Sequence, residues 1–198
     1  MKICIYGGSS DSVRNDYFSA SCEFGKILAE RGHELVFGGG ACGLMGAAAR
    51  GVNGANGRII GVAPNFLNVD GVLFDKCTEM ILTDTMRERK QKMEDMSNAF
   101  VALPGGMGTL DELFEILTLK QLGRHGKPVA VLNTDGYYNE MLAMLDKMTA
   151  EGFMLQEFRD IIIVSDSPAE LITKLEAVYQ LHAPAVVHKN IQGLKEKG

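Results

Sequence analysis

Short apolar runs alternate with longer stretches of helical periodicity along almost the whole chain. The short runs are apolar at consecutive positions, which is typical of strands that are buried on both faces. Seven such runs predict strands, at residues 2–6, 34–37, 59–62, 80–83, 99–103, 128–132 and 161–164. The stretches between them predict helices, at residues 13–31, 43–52, 85–96, 109–122, 136–150 and 168–180. Residues 65–79 show neither pattern and are expected to be irregular.

This alternation predicts an α/β protein, in which one parallel sheet is covered by helices on both faces. Right-handed crossovers would bring the carboxyl ends of the strands to one edge of the sheet, where such folds bind ligands. No repeat or linker divides the chain, so we expect a single domain over residues 1–182. The remaining tail, residues 183–198, is expected to fray.

Glycine is unusually frequent, with 23 glycines in 198 residues against about 7% in average proteins. The glycines cluster directly after three of the apolar runs, at residues 7–8, 38–40 and 105–106. All three clusters should therefore lie at the carboxyl edge of the sheet. Glycine-rich turns at this edge favour the close approach of a small anionic ligand.

The segment at residues 104–112, PGGMGTLDE, connects a predicted strand to a predicted helix. Gly105, Gly106 and Gly108 can adopt positive φ angles and let backbone N–H groups approach an anion. Thr109 is placed to cap the helix or to offer its hydroxyl to a phosphate, and the helix amino terminus favours negative charge. Because no lysine follows the glycines, the segment predicts a site for a single phosphate rather than a triphosphate loop. The alternative is a glycine-rich turn with an ordinary cap.

Charged residues flank this segment on both sides. Glu112 and Glu115 lie on a predicted helix that is otherwise mostly apolar, where carboxylates are costly unless they are used or paired. The run MRERK at residues 86–90 is typical of a solvated helix face. Alternatively, Arg89 or Lys90 leans into the site and pairs with Glu112 or with a phosphate.

The other two glycine clusters could complete such a site. Gly8, Ser9, Gly39 and Gly40 are candidate contacts for phosphate or base, because they follow two further predicted strands. The segment GGGACG matches the dinucleotide-binding pattern only formally, since no acidic residue completes a ribose site after it. The alternative is a pair of tight turns.

Charge and composition narrow the classes of partner. The net charge of −5 and the pI near 5.4 argue against a nucleic-acid-binding protein or one that binds anionic membranes. The chain has no signal-peptide core and no run of about 18 apolar residues, so a cytosolic location is expected. The four cysteines lie far apart, which predicts reduced and mostly buried thiols, and no cluster of histidine and cysteine predicts a metal site.

The runs at residues 86–90 and 104–112 together resemble the Lonely Guy (LOG) family, which is marked by the motifs M-x-x-R-K and P-G-G-x-G-T-x-x-E. The segments YGGSS at 6–10, FGGGACGLMG at 37–46 and TLKQLGRHGKP at 118–128 also resemble segments of that family. The resemblance extends over almost the whole chain.

The resemblance implies a Rossmann-like fold, a homodimer with sites near the subunit interface, and phosphoribohydrolase activity without a cofactor. Such enzymes cleave cytokinin riboside 5′-monophosphates, and often AMP, to the free base and ribose 5-phosphate. Many members carry an older label, lysine decarboxylase. That chemistry normally needs pyridoxal phosphate on a Schiff-base lysine, and no lysine of this sequence stands in a context that singles it out.

The resemblance also implies roles for particular residues. Arg89 and Glu112 match the catalytic pair of the family. Met86 matches a residue near the base. The substrate-contact positions of the family are matched by Lys90, Gly106, Met107, Gly108, Thr109 and Thr118.

These assignments predict a mechanism for cleavage of the glycosidic bond. The Glu112 carboxylate would stabilise the positive charge that develops on the ribose and could position or deprotonate water. Arg89 would hold Glu112 ionised by lowering its pKa. The backbone of residues 105–109 would anchor the 5′-phosphate, away from the bond that breaks.

The sequence departs from the family pattern at three positions. Arg87 stands where the family usually has histidine, and Leu119 stands where it usually has tryptophan. Gly71 stands where plant members have glutamate, which leaves the preference between cytokinin and adenine bases open. A non-catalytic nucleotide-binding module and an NAD- or NADP-linked enzyme are the competing interpretations. The presence of both Arg89 and Glu112 favours the hydrolase.

Overall fold

One parallel sheet of seven strands forms the centre of the computed structural model, which describes residues 1–181. The strands are β1 (Lys2–Tyr6), β2 (Glu34–Phe37), β3 (Ile59–Pro64), β4 (Glu79–Thr83), β5 (Ala99–Ala102), β6 (Val129–Leu132) and β7 (Ile162–Ser165). All seven predicted strands are confirmed. The predicted tail at residues 183–198 lies outside the described residues.

Helices cover both faces of this sheet, as the alternating pattern predicts. They are α1 (Asn15–Glu30), α2 (Gly43–Gly54), α3 (Met86–Met96), α4 (Met107–Gln121), α5 (Asn139–Ala150), α6 (Gln156–Arg159) and α7 (Pro168–Gln180). The sequence predicts all of these except α6, which is only four residues long and is therefore too short to show helical periodicity. None of the helices within residues 1–181 is long and apolar enough to cross a bilayer.

The strand order is β4-β3-β2-β1-β5-β6-β7, so the chain builds outward from β1 in one direction and then in the other. Neighbouring β1 and β5 pair in register from Ile3 with Ala99 to Tyr6 with Ala102. The loops that follow these two strands leave in opposite directions, which opens a crevice at their carboxyl ends. The fold therefore places its ligand-binding edge between the first and third glycine clusters.

The two faces of the sheet form two separate apolar layers. Ile3 and Ile5 of β1 pack towards α1, α2 and α7, whereas Cys4 and Tyr6 pack towards α3, α4 and α5. This division follows from the alternation of side chains along a strand. The layer beneath α3 and α4 carries the candidate site.

The cysteines correct one expectation from the sequence. Cys4 is buried and Cys77 is partly buried, but Cys22 and Cys42 are exposed. Cys22 lines an open groove between α1 and α2, and Cys42 occupies the cap position before α2. The prediction of mostly buried thiols is therefore wrong for half of them.

Candidate active site

Three glycine-rich loops meet at the carboxyl edge of the sheet. The Gly8 N–H donates to the Pro104 carbonyl at 3.0 Å, and the Gly8 carbonyl accepts from the Leu44 N–H at 2.8 Å. The loop after β1 therefore joins the loop after β5 to the first turn of α2. Ser9 stands exposed in the same loop.

A buried ion pair between Arg89 and Glu112 lies beneath these loops. Thr85 and Glu88 form a capping box that starts α3, and Arg89 in its first turn is only 7% exposed. Its Nη1 lies 2.8 Å from Glu112 Oε1, and its Nε donates to the Val62 carbonyl of β3 at 3.2 Å. Of the pairings that the sequence leaves open, the structure selects Arg89 with Glu112.

Gly38 makes room for the Arg89 guanidinium. A Cβ atom at Gly38 would lie 2.2 Å from Arg89 Nη2, far inside any tolerable contact. The sequence alone assigns this glycine no individual role. The feature of the sequence that could have indicated this role is the position of Gly38 directly after β2, at the same edge of the sheet as the other glycine clusters.

The pKa of the Glu112 carboxyl is raised, because burial disfavours the charged form more than Arg89 favours it. The Glu112 side chain is 12% exposed. The prediction that Arg89 lowers this pKa is confirmed for the contribution of Arg89 itself, but the net shift is upward because the cost of desolvation is larger. Glu112 is easier to protonate than a solvated glutamate.

Lys90 turns away from Glu112 and joins α3 to the outer face of α4. Its Nζ lies 2.7 Å from Glu115 and 3.1 Å from Asp111. These two carboxylates, Glu115 first, raise the pKa of Lys90. Met86, the first residue of α3, is exposed. In this chain Lys90 is thus an ion-pairing residue on the rim of the site.

The amino terminus of α4 carries no side-chain cap. The helix begins at Met107 and Gly106 occupies the cap position, with no side-chain hydrogen bond. Thr109 lies inside the first turn and is buried against Gly105. The prediction that Thr109 caps this helix is therefore wrong, because Gly106 adopts the extended cap conformation three residues earlier. The first N–H groups of α4 have no acceptor within the helix and form a ready site for an anion.

The glycines of this loop do not have the backbone conformation that the sequence predicts. None of Gly105, Gly106 and Gly108 has a positive φ angle, so that part of the prediction is wrong. Gly105 is required for space, since a Cβ would lie 2.1 Å from Thr109 Oγ1 and 2.8 Å from the Gly8 nitrogen. A Cβ at Gly106 or Gly108 would meet no atom within 4 Å. Both glycines leave an open surface above the helix amino terminus.

Gly39 and Gly40 belong to a backbone turn. Gly39 has a φ of +80°, and its carbonyl accepts from the Phe74 N–H at 2.8 Å. Gly40 forms an isolated bridge with Leu73. These contacts match the tight-turn alternative, since they tie the loop after β2 to the connection before β4.

Thr118 does not join the Arg89–Glu112 pair within one chain. It lies six residues beyond Glu112, about 9 Å along the axis of α4. There it lines a surface groove with Phe114 and Leu119.

Tyr137 and Tyr138 contact the loop after β5, although the sequence alone assigns them no role. The Tyr137 hydroxyl donates to the Gly105 carbonyl at 2.7 Å, and the Tyr138 hydroxyl donates to the Leu103 carbonyl at 2.6 Å. The available signal is the pair of adjacent tyrosines soon after a predicted strand. Within residues 1–181, no group of three or more His, Cys, Asp or Glu side chains is arranged to hold a metal ion.

Comparison with solved structures places the fold among known proteins. The chain superposes on the molybdenum cofactor binding protein of Rippkaea orientalis with a TM-score of 0.70 and 23% identity, over 89% of this chain and 96% of that one. The Moco carrier protein of Chlamydomonas reinhardtii gives a TM-score of 0.69 and 25% identity, over 91% and 98%. These proteins share the α/β Rossmann-like fold.

Comparison of sequences identifies the family. Residues 45–175 match the family model described as "Possible lysine decarboxylase". The chain is 43% identical over 175 residues to the cytokinin riboside 5′-monophosphate phosphoribohydrolase LOG of Oryza sativa subsp. japonica, covering 88% of this chain and 72% of the relative. It is 40% identical over 181 residues to the enzyme LOG3 of Arabidopsis thaliana, covering 91% and 84%. The chain therefore belongs to the Lonely Guy (LOG) family.

Proposed function

We propose that this protein hydrolyses the N-glycosidic bond of nucleoside 5′-monophosphates and releases the free base and ribose 5-phosphate. The observation that carries the proposal is the buried Arg89–Glu112 ion pair. Its Glu112 lies in the second turn of α4, whose amino terminus has no side-chain cap. The named activity of the plant relatives supports it. Together these features offer an anion site and a carboxylate on one helix.

The spacing along α4 suits a nucleotide that lies against the helix. A phosphate would accept hydrogen bonds from the free N–H groups at the amino terminus of α4. Glu112 follows Gly106 by six residues, about 9 Å along the axis, so the ribose would extend from the phosphate towards Glu112. Substrates without the phosphate would lose this anchor, and their reacting centre would be poorly positioned.

Glu112 would act on the ribose. As the bond from C1′ to the base nitrogen breaks, its electron pair leaves with the base, which takes up a proton, and positive charge develops on the ribose. The Glu112 carboxylate stabilises that charge and positions the water whose oxygen bonds to C1′ while its proton is released. Arg89 orients the carboxylate through the 2.8 Å contact and opposes its protonation.

The geometry disfavours Lys90 as the Schiff-base lysine that the decarboxylase label implies. A Schiff-base lysine needs a lowered pKa to act as a nucleophile. The pKa of Lys90, which flanks the catalytic pair, is raised instead by Glu115 and Asp111. Lys90 is therefore poorly suited to hold an aldehyde cofactor.

The proposal extends to substrate range and cellular location. AMP and cytokinin riboside 5′-monophosphates share the phosphate, ribose and purine that the site would contact, so both are expected substrates. We place the enzyme in the cytosol, because all four cysteines are free thiols and such thiols are typical of a reducing compartment.

We also propose a homodimer that forms through α4. Met107 is 83% exposed and Phe153 is 85% exposed, and both border grooves that share Phe114 and Thr118. An exposed apolar surface of this kind marks an interface. A second copy of the chain would cover it and bring its own residues beside Thr118.

The direct test is to incubate the purified protein with AMP and with isopentenyladenosine 5′-monophosphate and to quantify the released base and ribose 5-phosphate by chromatography. Equal amounts of base and ribose 5-phosphate are expected, and the rate ratio ranks the two bases. AMP binding in calorimetry without release of base would instead identify a nucleotide-binding module and refute the hydrolase.

A further inference from the structure

Tyr137 reaches the glycine loop from a constrained turn after β6. Asp135 and Gly136 in this turn have φ angles of +53° and +71°, and the turn directs Tyr137 back towards the loop after β5. The Tyr137 hydroxyl donates to the Gly105 carbonyl at 2.7 Å. The Tyr137 hydroxyl therefore holds the peptide group that joins Gly105 to Gly106, directly before the proposed anion site at the amino terminus of α4.

This peptide unit is unusually free to rotate. It joins Gly105 to Gly106, so neither flanking residue has a Cβ atom to restrict a flip of the peptide plane. In a trans peptide the C=O and N–H groups point in opposite directions. A flip would therefore place the carbonyl oxygen where the Gly106 N–H had been, and an oxygen repels a phosphate.

The Tyr137 side chain is itself braced, although it is 40% exposed. Its ring makes edge contacts with Tyr17 at 5.7 Å and with Tyr138 at 5.0 Å between ring centroids. Arg14 lies over the Tyr17 ring and forms an ion pair with Asp135 at 2.5 Å. The hydroxyl is thus held in place from both α1 and the turn that carries it.

We propose that Tyr137 is a positioning residue that fixes the peptide unit of Gly105 and Gly106 with its N–H group available to the substrate phosphate. The inference rests on the proposed function, since it assigns the phosphate of a 5′-nucleotide to this loop. Tyr137 acts through the backbone and sets the affinity for the phosphate. It takes no part in the cleavage of the glycosidic bond.

Tyr138 provides a matched control. Its hydroxyl makes an equivalent bond to the Leu103 carbonyl at 2.6 Å, but the peptide unit it holds ends at Pro104, which has no N–H group. Loss of this hydroxyl should lower stability without changing an N–H group at the anion site. Tyr137 and Tyr138 thus separate the positioning role from a general structural role.

The test measures the binding of AMP and of adenosine by calorimetry in the wild type, Tyr137→Phe and Tyr138→Phe. We expect Tyr137→Phe to weaken AMP about 3- to 10-fold, the size of one neutral hydrogen bond, and to leave adenosine binding unchanged. The kcat for AMP at saturation should stay within about twofold of the wild type, since the loss is confined to binding. Tyr138→Phe should lower the Tm and leave AMP affinity unchanged.

Several outcomes would overturn the proposal. They are unchanged AMP affinity in Tyr137→Phe, an equal loss in Tyr138→Phe, and a wild type that binds adenosine as tightly as AMP. Hydrolysis is measured separately on the same samples. If the wild type binds AMP but releases no base, the proposed function fails, while the AMP affinities of the two variants still decide the role of Tyr137.

Discussion

At the scale of single residues, the buried pair of Arg89 and Glu112 is the feature that stability explains least and function explains best. Removing two charges from water costs several kcal/mol per ion, and a buried pair often adds no net stability. The pKa of Glu112 is raised because burial destabilises its charged form more than the contact with Arg89 stabilises it. A perturbed carboxyl of this kind, beside a ligand-binding edge, is typical of a catalytic group.

Replacing Glu112 with glutamine should preserve the fold and remove most turnover. The amide can still accept a hydrogen bond from Arg89, but it cannot neutralise a cationic ribose, so we expect kcat for AMP to fall at least about 100-fold. The matched control is Glu115→Gln, one turn further along α4, where the carboxylate pairs with Lys90. Circular dichroism and Tm check the fold, and near-normal turnover in Glu112→Gln would remove Glu112 from the mechanism.

The pH profile of kcat/KM should reflect the raised pKa of Glu112. If catalysis requires the carboxylate, activity is full above its pKa and falls as the pH drops through it. Because burial raises this pKa, the acidic limb should lie above the ordinary glutamate value of about 4.3. In Arg89→Gln the opposing charge is lost, so the residual activity should show its limb at still higher pH. A limb at or below the ordinary value would contradict this assignment.

Alanine at Gly106 or Gly108 should impair substrate binding without harming the fold. The added methyl meets no protein atom within 4 Å at either site. Alanine in place of glycine stabilises a helix by about 0.5–1 kcal/mol at positions within it, which applies to Gly108, whereas alanine is a poorer residue than glycine at the cap position that Gly106 occupies. A phosphate held by the adjacent N–H groups would collide with the methyl, so KM for AMP should rise about tenfold or more in both variants. The Tm should stay equal or increase in Gly108→Ala and decrease slightly in Gly106→Ala.

Gly54→Ala is the control for these variants, because a Cβ there also meets no atom within 4 Å and Gly54 lies at the far end of α2. Its KM should equal that of the wild type. An unchanged KM in both Gly106→Ala and Gly108→Ala would place the phosphate elsewhere.

Residue patterns predict which groups meet at the site better than they predict their energetics. The pairing of Arg89 with Glu112 is among the predicted options, since both flank the glycine loop. The direction of the Glu112 pKa depends on burial by other elements, which the sequence does not give. The cap at Gly106 in place of Thr109 depends on local φ and ψ angles, and residue preference alone pointed to the threonine.

At the scale of elements, the strands are predictable because burial on both faces leaves uninterrupted apolar runs. The longer helices are predictable from their periodicity, whereas α6 has only one turn and gives no such signal. Contacts across the sequence are not predictable in this way. Tyr137 lies 32 residues from Gly105 along the chain, and only the parallel sheet brings the two together.

His125 stabilises the connection between α4 and β6. Its Nε2 lies 3.0 Å from the Ile116 carbonyl, and the Lys127 N–H donates to its Nδ1 at 3.2 Å. The neutral ring with the proton on Nε2 satisfies both contacts, whereas a second proton on Nδ1 would break the bond from Lys127. Burial lowers the pKa of His125, and the nearby charges of Lys127 and Lys120 act in the same direction.

The stability of the protein should therefore fall in mild acid through His125. Because the pKa of the folded state is lowered, the unfolded chain binds the proton first, and stability is lost as the pH falls below about 6.5, the unfolded value. We expect His125→Gln to cost about 1–3 kcal/mol at pH 7.5 through the two hydrogen bonds, and to reduce the further loss between pH 7.5 and pH 5.5.

Urea unfolding of both proteins at the two pH values measures this difference. His33, whose pKa is also lowered by burial, is present in both proteins and cancels. Equal pH slopes for wild type and variant would exclude His125 as the titrating group.

At the scale of the whole molecule, the carboxyl edge of the sheet and the exposed face of α4 meet at Met107. The edge carries the proposed anion site and the Arg89–Glu112 pair, and the face carries apolar side chains and Thr118. One chain leaves Thr118 about 9 Å along the helix from Glu112. A second copy packed on α4 would bring Thr118 of each chain beside the active site of the other chain. This arrangement connects the proposed dimer to the proposed activity.

The wild type should therefore be a dimer of twice the 21.5 kDa chain mass, and replacing Phe153 with serine should weaken it. Phe153 is 85% exposed, so the substitution costs the isolated chain little, whereas burial of a phenylalanine at an interface contributes about 1.5–3 kcal/mol per side chain. Phe66→Ser, at a 63% exposed position outside these grooves, is the control and should leave the dimer intact.

Sedimentation equilibrium gives the dissociation constants, and AMP hydrolysis across the same concentrations shows whether activity follows the dimer. A monomeric wild type, or equal dissociation constants for the three proteins, would reject this interface, and constant activity per chain through dissociation would show that each site is complete within one copy.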